Sequence, residues 1–207
     1  MSLNSVILAV EDRLSDAIST KILESFDIGI MLRIGFKGNS YLQQKAPSLN
    51  QTARGPYNVF ILTDLDSPQS CPPQLIQSWI SAPLNSGFFL RVAVMEVESW
   101  IMADRSALAK FLSIPVRRIP SNTDDIPNPK EFLVSLARRS NRRRLRDQLV
   151  PALGATTARV GPEYNSRFSE FIQIHWDLER AAVAFPSLKR TLDRIRSAKT
   201  VSDASQD

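Results

Sequence analysis

Four short apolar runs punctuate the first half of the chain: Val6-Ile-Leu-Ala-Val10, Ile28-Gly-Ile-Met-Leu-Arg-Ile34, Val59-Phe-Ile-Leu62 and Phe88-Phe-Leu-Arg-Val-Ala-Val-Met95. Short continuous runs of this kind predict strands covered on both faces, as in a parallel sheet. Between them the apolar residues keep helical spacing. Leu14, Ala17, Ile18, Ile22, Leu23 and Phe26 mark a helix behind the first run, capped by Asp12 or Ser15. Tyr41 to Leu49 reads as a short helix broken at Pro47. Ser67 to Pro73 reads as a rigid loop, with Pro73 in the first turn of a helix from Gln74 to about Pro83. Glu98 opens a helix that continues through Leu112. The alternation predicts an α/β fold: a mainly parallel sheet of about four strands (residues 5–10, 28–34, 58–63 and 88–94), flanked by helices on right-handed crossovers.

The second half has a different texture. Residues 113–129 form a proline-rich connector. Lys130 to Leu149 predicts one helix, Pro162 to about Phe185 another, and Pro186 to Ile195 a last one. The expected organisation is an α/β domain over 1–112 and a helical C-terminal extension over 113–207 packed on it, with a disordered tail over 197–207.

Three of the four apolar runs end in carboxylates. Glu11 follows the first, Asp64 and Asp66 the third, and Glu96 and Glu98 the fourth. Core strands more often end in turn formers such as Gly, Asn, Ser or Asp. Ligands of open α/β sheets bind outside the carboxyl ends of the strands, and unpaired carboxylates avoid a dry core. Two carboxylates at i and i+2 on an ending strand can turn toward one hard cation, typically Mg²⁺. Plainer readings stand beside this one. Asp64 and Asp66 could form a strand-ending turn, and Glu11 and Glu98 could be acids favoured by a helix N-terminal dipole. Whether both Glu96 and Glu98 face the site or only one stays open, because i and i+2 keep one direction only if the strand persists.

Composition narrows the class. The 207 residues are 43% hydrophobic and 23% charged, ordinary for a soluble globular protein. The longest apolar run is far below the roughly 20 residues of a membrane span. The N-terminus lacks a signal-peptide layout, and a lone Cys71 excludes an intramolecular disulfide and a cysteine-rich zinc site. The expected location is the cytoplasm. Residues 1–112 carry a net charge of −1 and residues 113–207 a net of +6. Much of that surplus lies in Arg138-Arg-Ser-Asn-Arg-Arg-Arg-Leu-Arg146, six arginines in nine positions. On one continuous helix, Arg138, Arg142 and Arg146 would share a face with Arg139 and Arg143 beside it, a stripe suited to phosphates. The alternative is a solvated face or contacts within the protein. Lys37, beside Gly38, is a further cation that could approach the acids, with a plain surface lysine as the alternative. Trp100 and Trp176 read as core. His175, the only histidine, stands beside Trp176 and supports no Ser-His-Asp chemistry.

The ordered set of acids resembles the Toprim domain of topoisomerases, primases and overcoming-lysogenization-defect nucleases: Glu11 after the first strand, then Asp64-Leu-Asp66 after the third. More closely, the chain is similar to a bacterial Toprim-like family called domain of unknown function 4276. The matching pieces are Val10-Glu-Asp-Arg-Leu-Ser-Asp16, Leu62-Thr-Asp-Leu-Asp-Ser67, Val92 to Asp104, Gly161-Pro-Glu-Tyr164, Trp176-Asp177 and Ser187-Leu188. One departure is Asp12, where the first acid is usually followed by glycine. The resemblance implies a Toprim-like (Rossmann-like) fold and a Mg²⁺ (or Mn²⁺) site at Asp64, Asp66, Glu11 and Glu96. Glu11 and Glu98 would act in phosphodiester hydrolysis on DNA or RNA, in a family often found at mobile or antiphage defence loci. The competing expectation is a non-catalytic metal- and nucleic-acid-binding subunit that works with a larger effector such as an ATPase.

Overall fold

The computed structural model describes residues 3–66, 69–123 and 126–203. Ser67 and Pro68 of the expected loop, and residues 204–207 of the expected tail, lie outside the described residues. Strands β1 (Ser5–Val10), β2 (Gly29–Gly35), β3 (Asn58–Asp64) and β4 (Phe88–Ala93) form one sheet in the order β2-β1-β3-β4, with every pairing parallel. The architecture is α/β, an all-parallel, Rossmann-like sheet flanked by helices, as the alternation of strands and helices predicts.

Alternation along the strands separates two apolar layers. Val6, Leu8 and Val10 of β1, Phe60 and Leu62 of β3 and Phe89 and Ala93 of β4 face the larger one. There they meet α1 (Arg13–Glu24) and residues from α4 (Val97–Ala103), α5 (Arg105–Leu112), α6 (Pro129–Arg138), α8 (Tyr164–Ile174) and α10 (Pro186–Asp203). The opposite layer packs Ala9, Val59, Ile61 and Leu90 against α2 (Asn39–Thr52) and α3 (Pro72–Trp79). β2 is an edge strand, and Met31 and Leu32 stand exposed on it, so its apolar run is not covered as the other three are.

Several helix boundaries depart from expectation. α2 runs through Pro47 rather than breaking there. Pro47 is exposed while Leu42, Ala46 and Leu49 face the core, so the carbonyl that its missing N–H frees faces water. The helix expected from Glu98 to Leu112 is two helices, α4 and α5, divided at Asp104. That buried carboxylate accepts the Ala107 N–H (3.2 Å) as the N-cap of α5 and the Asp177 N–H (2.9 Å) from a distant loop. The helix expected from Pro162 to Phe185 is α8 and α9 (Leu178–Ala184), because the Trp176 indole turns in to donate to the Trp100 carbonyl at 3.1 Å. Residues 197–203, expected as disordered tail, continue α10.

Gly35 closes β2 with φ +111°, and a Cβ there would lie 2.0 Å from the Val10 carbonyl oxygen. Backbone cannot give way as a flexible side chain can. Gly35→Ala should therefore destabilise by more than about 2 kcal/mol. Gly38→Ala, at φ +78° and ψ 179° but in open space, should cost less, about 1–2 kcal/mol of backbone strain with no clash added. Equal shifts in thermal melts would refute the steric part of this account.

Candidate active site

The strand order reverses between β1 and β3, the crevice where ligands of open α/β sheets bind. Glu11 leaves β1 at that point. Its Oε1 accepts the Thr63 hydroxyl and the Asp64 N–H (2.9 Å), so its carboxylate bridges the ends of the two strands. Thr63 in turn accepts from Asn39 Nδ2 at 3.3 Å. Asp12, where the resemblance has glycine, accepts the Ser15 N–H (2.9 Å) as the N-cap of α1. A cleft of about 880 Å³ opens beside Glu11 and Asp12, lined also by Arg13, Arg33, Asn165 and Gln173.

Asp64 ends β3 and is buried; its Oδ1 accepts the Val97 N–H at 2.9 Å, pinning the start of α4. Asp66 is exposed two residues on. Its N–H and that of Leu65 both donate to the Met95 carbonyl at 3.1 Å. Asp66 (φ +55°) and Met95 (φ +64°) are both left-handed, a conformation that non-glycine residues rarely adopt outside tight turns and functional sites.

Glu96 and Glu98 both reach the same partner, Lys130. β4 ends at Ala93, so strand alternation no longer governs them. Glu96 Oε2 accepts the Lys130 N–H at 2.8 Å, which satisfies a free donor in the first turn of α6. Lys130 Nζ lies 3.8 Å from Glu96 and 3.5 Å from Glu98. Glu98 is wholly buried, its Oε1 accepts the Tyr164 hydroxyl at 3.2 Å, and its Oε2 has no hydrogen-bond partner. Thr63, Lys130 and Tyr164 were missed in the sequence as members of the site. Thr63 and Tyr164 lie inside the matching motifs, whereas nothing local marks Lys130.

Burial and crowding push Glu11, Asp64, Asp66 and Glu98 upward. For Asp64, burial and then the negative charges of Glu98, Glu11 and Asp66 hold the carboxyl well above its usual range. Burial raises Glu11, partly offset by its bonds from Thr63 and Asp64. Asp66 is raised by partial desolvation and Glu96, against the pull of Lys130. Burial brings Glu98 to about 7, though Lys130 opposes it. Burial disfavours the Lys130 ammonium, but Glu98, Glu96 and Asp64 outweigh that and hold it above the usual lysine range.

The donors are all carboxylate oxygens, the set that Mg²⁺ and Mn²⁺ prefer, and the buried Oε2 of Glu98 has no hydrogen-bond partner. The site is not preassembled, since among the described residues no three His, Cys, Asp or Glu side chains converge to hold a metal. The residues fit the ion in donor chemistry, and Asp64, Asp66, Glu11 and Glu96 are the side chains that would hold it.

The arginine run does not form the expected stripe. α6 ends at Arg138 and α7 spans Arg143–Leu149. Between them Ser140 is buried and accepts the Arg142 N–H (3.1 Å), and Asn141 donates to the Ser113 carbonyl (3.1 Å). Arg142 and Arg146 then donate to the carbonyls of Phe111 and Ser140, and Arg143 pairs with Asp147. Arg138 and Arg139 are exposed. Arg142 lines a cavity of about 610 Å³ with Lys110, His175 and Arg180, whereas Arg138 and Arg146 line another. Lys37 is exposed and lies over the Tyr41 ring at 5.3 Å. Trp100 and Trp176 are buried core residues, as expected.

The chain matches no family model and no curated protein. It is similar to a solved structure, the C-terminal region of the OLD protein of Xanthomonas campestris pv. campestris. The two are 14% identical with a TM-score of 0.43, over 97% of this chain and 98% of that one. No helix of the described residues is long and apolar enough to cross a membrane.

Proposed function

We propose that the chain is a divalent-metal-dependent nuclease or phosphotransferase acting on nucleic acid. The observation that carries this reading is the placement of Glu11, Asp64, Asp66, Glu96 and Glu98 along the carboxyl ends of β1, β3 and β4, where Glu98 is left buried with an unpartnered oxygen and Asp64 feels the charges of Glu98, Glu11 and Asp66. Crowded carboxylates of this kind oppose folding unless a cation relieves them. A bound Mg²⁺ or Mn²⁺ would supply stabilisation of charge on phosphoryl oxygens. Glu11 holds its Oε1 on Thr63 and Asp64, which leaves Oε2 to take a proton from an attacking water. Its upward shift brings it nearer the working pH of a general base. Arg138, Arg139 and Arg143 are exposed cations available to backbone phosphates.

A second reading has its own support: Lys130 already supplies positive charge to Glu96 and Glu98. On that reading the acids are a structural or switching cluster in a binding subunit that works with a partner. Incubation with single- and double-stranded DNA and RNA in Mg²⁺ or Mn²⁺ separates the two. Cleavage that falls at least about 100-fold in Glu11→Gln supports the enzyme. Binding that never leads to cleavage supports the subunit. Saturating Mn²⁺ should also raise the melting temperature, equivalent to about 2.7 kcal/mol at a hundredfold excess over Kd. Asp64→Asn with Asp66→Asn should abolish that rise; an equal shift in the double variant would place the ion elsewhere.

A further inference from the structure

Arg91 is the one charge inside the apolar run of β4, Phe88-Phe-Leu-Arg-Val-Ala93. It pairs laterally with Leu62, and Ala93 with Asp64. With a side-chain period of two, Arg91 therefore points to the same face of the sheet as Asp64. It lies one strand across and two residues back, about 8 Å between Cα atoms from ordinary strand spacings. α10 covers this face beside β4, an edge of the sheet. Arg91 Nε donates to Thr191 Oγ1 at 3.3 Å. Arg190 and Arg194 stand exposed next to Thr191, four residues apart on α10, and the Arg194 guanidinium lies 5.3 Å from the Phe89 ring.

Among the described residues no acid forms an ion pair with these three arginines. Asp193, the carboxylate nearest in sequence, is taken by Lys189 (2.9 Å) and Arg196 (3.0 Å). Burial, and then the charges of Arg194 and Arg190, lower Arg91 to about 10, which leaves it cationic at neutral pH. A half-buried guanidinium beside two others, with one hydroxyl as acceptor, is an arrangement that favours an incoming anion. Its free forks match phosphate oxygens. We propose that Arg91, Arg190 and Arg194 form a phosphodiester-binding site on the β4–α10 edge, which grips the nucleic-acid backbone alongside the carboxylates. The proposal rests on the nucleic-acid reading above and names the surface that such a substrate crosses.

The test is oligonucleotide binding in EDTA, read by fluorescence anisotropy over a range of KCl concentrations. Arg190→Gln with Arg194→Gln should weaken binding about 10-fold and reduce the slope of log affinity against log salt by roughly 1.4–1.8, since each lost phosphate contact removes roughly 0.7–0.9. Arg91→Lys, which keeps the charge and loses the fork, should weaken binding less. Arg117→Gln with Arg118→Gln, exposed on a different turn, should change nothing. Circular dichroism reports whether each variant is folded. Wild-type affinity and slope in the folded α10 double variant would overturn this site and leave the cleavage reading intact. Loss of binding in that variant, with a wild type that never cuts, would overturn the cleavage reading and leave this site standing. A double variant that loses a thermal shift in inorganic phosphate but keeps its oligonucleotide affinity would mark a small-anion site and overturn the proposal.

Discussion

Raising the pH from 5 to 8 in EDTA should cost the protein on the order of 3 kcal/mol of stability, and Glu98→Gln should remove most of that loss. The folded state holds the Glu98 carboxyl at about 7 against an unperturbed 4.5. The fold therefore favours the protonated form. The stability this contributes is complete below about 4.5 and is lost as pH rises through about 7. At about 1.4 kcal/mol per pH unit, the separation gives the quoted loss. Asp64 and Glu11 are raised as well, so they act in the same direction. For a chain of this length the loss corresponds to a fall in melting temperature of about 6–12 °C. Mn²⁺ at pH 8 should restore part of it, because an ion among the carboxylates does the work of the lost protons. Melts that are flat from pH 5 to 8, or equally steep in Glu98→Gln, would show that Glu98 ionises as freely folded as unfolded.

The strands and their terminal acids were legible because each signal is local. A short apolar run followed by Glu11, or by Asp64-Leu-Asp66, states both the strand and where it ends. The helix breaks were not legible because distant partners impose them. Asp104 divides α4 from α5 by taking the Asp177 N–H and the Arg180 guanidinium, more than 70 residues away. Ser140 and Asn141 divide α6 from α7 through burial and a bond to Ser113. The arginine stripe depended on that last helix being continuous, and it fails for the same reason. Arg91 was visible as a charge in an apolar run, but its meaning depends on α10 returning to β4 from 100 positions away. β2 carries the apolar signal of a covered strand, yet the chain's return to β3 on the other side of β1 leaves it at the edge.

Lys130 is the member of the acid cluster for which nothing local prepared the way, and its removal is the sharpest test of how the cluster is held. Its ammonium lies near two carboxylates, one of them wholly buried. Taking one partner from a buried ion pair costs about 3–5 kcal/mol, because the remaining charge is stranded. Here the lysine side chain is 34% exposed and its distances of 3.5 and 3.8 Å exceed those of a tight charge-assisted bond. Solvent screening reduces the figure, and about 2 kcal/mol is expected for Lys130→Met at pH 8. The variant keeps the backbone N–H that Glu96 accepts, so the start of α6 is preserved. Below pH 6 Glu98 can take up a proton instead of remaining a stranded anion, and the cost should fall below about 1 kcal/mol. Lys130→Met combined with Glu98→Gln should recover most of the loss at pH 8, a coupling that a double-mutant cycle measures directly. Mn²⁺ should stabilise Lys130→Met more than the wild type, since the ion no longer competes with the ammonium for the carboxylates. A loss equal at both pH values and additive with Glu98→Gln would mean that Lys130 serves α6 packing and leaves the charge of the acids uncompensated.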